Sequence, residues 1–82
     1  MKQQNTIIDV RTKEEFSGGH VEGSINIPLH EIPHRLAEIK KMEQPLILCC
    51  ASGNRSGQAM AYLKRLGIEC NNGGSWLKIN FN

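Results

Sequence analysis

Cys50 begins the run Cys50-Ala51-Ser52-Gly53-Asn54-Arg55-Ser56, which follows the apolar segment Leu46-Ile47-Leu48-Cys49 and precedes an amphipathic stretch at 58–66. A cysteine between a buried strand and a helix start sits where backbone N–H groups and the positive end of the helix macrodipole converge. That setting favours the thiolate, the nucleophilic form, and brings a thiol pKa of about 8.5 down to roughly 3.5–7.5. Ala51, Ser52 and Gly53 are small, so the backbone can curl round one atom, and Gly53 is free to take a positive φ. The N–H groups of residues 51–55, turned inward, would form an anion nest that includes Asn54. Ser52 and Ser56 add hydroxyls, and Arg55 adds a permanent charge with forked donors suited to an oxyanion such as a sulfonate. The plainer alternative is a strand-to-helix turn over an inert core thiol, with Ser56 as N-cap. Strand end, small residues, glycine, arginine and helix coincide here, which favours the reactive reading. It requires amides that face the Cys50 sulfur and an opening from that sulfur to solvent.

Other residues with chemical capacity read as structural. Asp9 and Arg11 are expected to form a buried pair at the end of the first strand rather than to tune a thiol. His20, beside Gly19 and before a turn, is expected to hydrogen-bond locally. His30 and His34 are four apart, but Pro33 intervenes and no third ligand is near, so no metal site is expected. Cys49 should point to the opposite sheet face from Cys50 and pack in the core, and a vicinal disulfide between them would be strained. Cys70 reads as core, although adjacency of the third and fourth strands would bring it toward the site. Phe16 and Trp76 read as core or rim packing, with Trp76 at the pocket edge as the alternative.

These residues need a scaffold, and the apolar pattern supplies one. Residues 7–10 read as a short buried strand. Thr12 then caps a brief helix, with Glu15 completing a capping box, and Gly18-Gly19 ends it. Residues 24–27 form a second strand stopped by Pro28, and a helix beginning near Ile32 or Pro33 carries Leu36 and Ile39. Residues 46–49 form the third strand. Ala59, Tyr62, Leu63 and Leu66 keep i, i+3, i+4, i+7 spacing on a helix that stops at Gly67. Residues 68–71 form a fourth strand, Asn72-Gly73-Gly74 a turn, and Ser75 caps a last helix with Trp76, Leu77 and Ile79. Alternating strands and helices imply a parallel α/β sheet, whose ligands bind outside the carboxyl ends of the strands, where Cys50 lies.

The chain has 82 residues, 39% hydrophobic and 22% charged, with a formal net charge of +2. One small domain over residues 1–82 follows, with no basic cluster that would argue for nucleic acid. Three cysteines make an odd set, without the spacing of a disulfide framework or zinc site, and suit a reducing compartment. Residues 1–6 contain no apolar signal-peptide core, and no apolar run approaches the roughly 20 residues needed to cross a membrane. A cytoplasmic location is expected.

Three segments resemble the rhodanese (sulfurtransferase) family. They are the Cys50 loop, the upstream signature Asp9-Val10-Arg11-Thr12-Lys13-Glu14-Glu15-Phe16 continuing through Gly19-His20-Val21-Glu22-Gly23 to Pro28, and Gly73-Gly74 with Trp76. The resemblance implies a small three-layer rhodanese-like fold with about four parallel strands flanked by helices. On that resemblance, the strand and helix that members commonly carry ahead of the Asp-Val-Arg segment are expected to be lacking and the fourth strand to lie at an edge, with a monomer or an edge-paired dimer as the expected state. It also implies that Cys50 takes sulfur from thiosulfate or another sulfane donor as a persulfide and passes it to cyanide, a thiol or a protein acceptor, with no cofactor. Related phosphatases and arsenate reductases place five residues between cysteine and arginine, whereas four intervene here, a ring suited to a single sulfur. Two other readings of the loop remain: a persulfide carrier or interaction module without turnover, and an oxidoreductase pairing Cys50 with Cys70.

Overall fold

A computed structural model describes residues 6–80; residues 1–5, read above for a leader, and 81–82 lie outside the described part. The elements run β1 (Ile7–Asp9), α1 (Lys13–Ser17), β2 (Ile25–Asn26), a 3-10 helix (Leu29–His34), α2 (Leu36–Lys40), β3 (Leu46–Cys50), α3 (Asn54–Arg65), β4 (Cys70–Ser75) and α4 (Trp76–Asn80). The four strands form one parallel sheet in the order β2-β1-β3-β4, so β4 is at an edge as expected.

Alternation along the strands divides the side chains between two faces. Ile8, Val10, Leu46, Leu48 and Cys50 join Ile32, Ile39, Ala59 and Leu63 in the main core, beneath the 3-10 helix, α2 and α3. Ile47 and Cys49 face the other way. There Ile79 of α4 and Ile47 both lie so close to Gly73 that a Cβ at that position would crowd each of them. Thr12 caps α1 through the Glu15 amide, and the Glu15 carboxylate returns to the Thr12 amide, which is the capping box read from the sequence. α3 stops as expected. Gly67 takes φ +83, and the amides of Gly67 and Ile68 reach back to Lys64 and Leu63 in a Schellman motif.

Three boundaries differ from the sequence reading. The expected helix from Ile32 is a 3-10 helix with Pro33 inside it, followed by the separate α2, because proline withholds an amide from α-helical pairing. α3 begins at Asn54, directly after the loop, with Gly53 at φ +100 as its N-cap; Ser56 is inside the helix and is not its cap. β4 is displaced along the chain, and the expected turn Asn72-Gly73-Gly74 belongs to it. Leu48 pairs with Asn72 and Cys49 with Gly74, so Gly73 is the extra residue of a bulge.

Candidate active site

β3 ends at Cys50, and the chain turns over its sulfur before α3 begins. The Gly53 amide donates to Sγ at 3.0 Å and the Ser56 amide at 3.4 Å, with the Ser56 Oγ also 3.4 Å away. The positive φ of Gly53 lets its N–H turn back onto the sulfur. Burial alone would push the Cys50 thiol up. The Ser56 hydroxyl, when its proton is turned to the sulfur, and the amides of Ser56, Gly53 and Ser52 outweigh it and bring the thiol down to about 7. Of the expected ring over residues 51–55, the Ser52 and Gly53 amides face the sulfur, Ser56 adds one from beyond it, and the side chains of Ala51, Ser52 and Asn54 are turned to solvent.

The expected opening above the sulfur is not there. Cys50 is 0% exposed, because the loop closes onto Sγ at hydrogen-bond distance. Beside the loop lies a cleft of about 330 Å³, lined by Val10, Thr12, Pro28, Leu29, His30 and Arg55. The Arg55 guanidinium is engaged elsewhere, although the Cys50 and Arg55 charges act on each other. Its two terminal nitrogens hold the Glu15 carboxylate at 2.8 and 3.0 Å. That pair ties the first turn of α3 to α1.

Asn72 is the residue the sequence reading missed. Its Nδ2 donates to the Gly53 carbonyl at 3.0 Å, while its Oδ1 accepts from the Ser56 hydroxyl at 2.6 Å and from the Gly74 amide at 2.9 Å. Asn72 lies two residues after Cys70 and so on the face toward α3, and a Cβ at Gly57 would stand 3.2 Å from its Nδ2. Asn-Gly-Gly reads locally as a turn. The signal that points to Asn72 is the pairing of β4 with β3, which is not local.

The remaining residues occupy structural positions. Arg11 is bidentate on Asp9, donates to the Gly19 carbonyl at 2.7 Å and lies 4.5 Å under the Trp76 ring. His20 donates from Nδ1 to the Phe16 carbonyl and stacks on the Phe16 ring. Cys49 is buried on the far face, where burial and the Asp9 charge push its thiol up to about 12. Cys70 pairs with Leu46, four residues before Cys50, which sets it about 13 Å from the site along the strand. Strands β3 and β4 are adjacent, but their register keeps Cys70 from acting as a resolving thiol. Among the described residues no group of three or more metal-ligating side chains is brought together, and no helix is long and apolar enough to cross a membrane.

The family model for the Rhodanese-like domain matches residues 1–78. The chain is 39% identical over 61 residues to a sulfurtransferase of Allochromatium vinosum, covering 74% of this chain and 56% of that one. It is 39% identical over 61 residues to the thiosulfate sulfurtransferase PspE of Escherichia coli, covering 73% and 59%. It thus spans little more than half the length of these curated relatives. Among solved structures, a rhodanese with anions from E. coli superposes with a TM-score of 0.80 at 35% identity, covering 88% of this chain and 87% of that one.

Proposed function

The chain belongs to the rhodanese-like domain family, and on that premise we propose that it transfers sulfane sulfur through a persulfide on Cys50. The observation that carries this reading is the pair of amides, of Gly53 and Ser56, bonded to a sulfur that ionises near pH 7. The Cys50 thiolate attacks the outer sulfur of thiosulfate; the S–S bond of the donor breaks, and sulfite leaves with its electron pair. The outer persulfide sulfur carries the negative charge, which inward-facing amides stabilise as an oxyanion hole does. Cyanide then takes that sulfur as thiocyanate and returns the thiolate; a thiol or protein acceptor takes it as a new persulfide.

Of the two conditions set for a reactive Cys50, inward-facing amides are met and an opening to solvent is not met in this conformation. The loop must yield as donor arrives, and the cleft lined by Arg55 is where an anionic donor would gather beside it. Arg55 is the cation for an anionic donor there, in competition with Glu15. Three free cysteines suit work in a reducing compartment such as the cytoplasm.

Mass spectrometry after exposure to thiosulfate tests the reading. The expected result is one added sulfur on Cys50, removed by cyanide, retained in Cys49→Ser and lost in Cys50→Ser. Sulfur gained on Cys49 instead, or in the Cys50→Ser variant, would sink the assignment. A chain that takes no sulfur from thiosulfate but accepts it from a protein persulfide is a carrier without turnover.

A further inference from the structure

The Ser56 hydroxyl has one proton and two claimants. Ser56 is 0% exposed, and its Oγ is 2.6 Å from Asn72 Oδ1 and 3.4 Å from Cys50 Sγ. The orientation of the Asn72 carboxamide follows from its other partners. The Gly74 amide can only donate, so the atom it meets at 2.9 Å is the oxygen; the Gly53 carbonyl can only accept, so the atom it meets at 3.0 Å is the nitrogen. Oδ1 accepts and cannot donate, so the Ser56 proton points at Asn72. With its proton there, Ser56 Oγ offers the sulfur lone pairs alone.

Lone pairs suit a thiol and oppose a thiolate. In the neutral state S–H donates to Oγ and Oγ–H donates to Oδ1, a chain whose members polarise one another. In the ionised state the same Oγ repels the sulfur until its hydroxyl turns round and donates to it, the orientation in which Ser56 favours the anion. The Gly53 and Ser56 amides favour the anion in either case. We infer that Asn72 is a positioning residue for Cys50: it competes with the sulfur for the Ser56 proton, so that ionisation of the thiol is coupled to the hydroxyl turning from the carboxamide to the sulfur.

Charged and titratable groups near Cys50 come from every packed element except β4. Cys49 adjoins it on β3; Asp9 and Arg11 of the β1 end lie toward the far sheet face; Arg55 of α3 carries Glu15 of α1; His30 of the 3-10 helix lines the cleft. β4 brings Asn72, Gly73, Gly74 and Ser75 to this end, none of them titratable. Substituting Asn72 therefore alters no charge. The inference rests on Cys50 as the nucleophile of the proposed reaction, but its test uses no sulfur donor, so failure of sulfur transfer leaves the test intact.

A cycle of four proteins, the unaltered chain, Asn72→Ala, Ser56→Ala and the double variant, is alkylated with iodoacetamide across pH, and Cys50 is read by peptide mass. Asn72→Ala should raise alkylation below the midpoint about threefold to tenfold, the worth of one hydrogen bond. In the Ser56→Ala background the same substitution should change nothing. An unchanged or slower rate in Asn72→Ala overturns the inference, as does equal acceleration in both backgrounds. The unaltered chain provides a second measurement, the infrared S–H stretch of Cys50 at low pH, assigned by its loss in Cys50→Ser. A band shifted down from that of a free thiol supports S–H donation to Oγ; an unshifted band overturns it.

Discussion

Cys49 and Cys50 are joined by one peptide bond, yet burial and the Asp9 charge push the first up to about 12, while the Ser56 hydroxyl and the Ser56, Gly53 and Ser52 amides overcome burial to bring the second to about 7. Iodoacetamide at pH 8 should therefore label Cys50 and spare Cys49, as digestion and mass spectrometry would read; labelling of both at similar rates contradicts the site geometry. Glu15 makes a different prediction. The Arg55 guanidinium, and after it the Thr12 amide, hold its carboxyl down at about 2 against an ordinary 4.5. A carboxylate depressed in this way stabilises the fold fully above pH 4.5, and that contribution fades as pH falls toward 2. Glu15→Gln keeps a capping-box residue but removes the charge, so acid titration of stability should be flatter between those values than in the unaltered chain. The cap was legible because Thr12 and Glu15 are three residues apart. The ion pair was not, since Arg55 is 40 residues from Glu15 and meets it through the fold.

At the scale of elements, the bulged edge strand decides where the loop is held. Gly73 is seated between Ile79 and Ile47: a Cβ there would stand 2.9 Å from one, 3.0 Å from the other and 3.2 Å from the Leu48 carbonyl. Gly73→Ala should cost about 1–3 kcal/mol of overpacking. A melting curve should show a fall of about 4–8 °C per kcal/mol for a domain of this size. β3 and α3 were readable because an unbroken apolar run and a helical period are local signals. β4 was misplaced because Asn72-Gly73-Gly74 has turn composition, and pairing with β3 overrides it. The Pro33 segment shows the same conflict. Spacing of Ile32, Leu36 and Ile39 reads as one helix, while the proline divides it.

At the scale of the molecule, the Asp9–Arg11 pair unites parts distant in sequence. It joins the end of β1 to the Gly19 turn and lies under Trp76 of α4. Asp9→Asn would leave a buried guanidinium without its counter-charge, a loss of about 3–5 kcal/mol. A chain of 82 residues has roughly 4–12 kcal/mol in all, so urea unfolding of this variant should begin at a far lower concentration or find little native state. The parallel α/β class followed from strand and helix alternation; the order β2-β1-β3-β4 did not, since it depends on contacts between segments far apart.

A sulfur that is 0% exposed beneath its own loop also has a bearing on access. Any reagent, oxidant or alkylating agent alike, meets backbone before it meets the nucleophile, so reaction at Cys50 waits on opening of the loop. Once an extra atom is lodged on that sulfur, residues 51–53 have to ride higher than before, and the loaded and empty forms should part company in amide exchange at those positions.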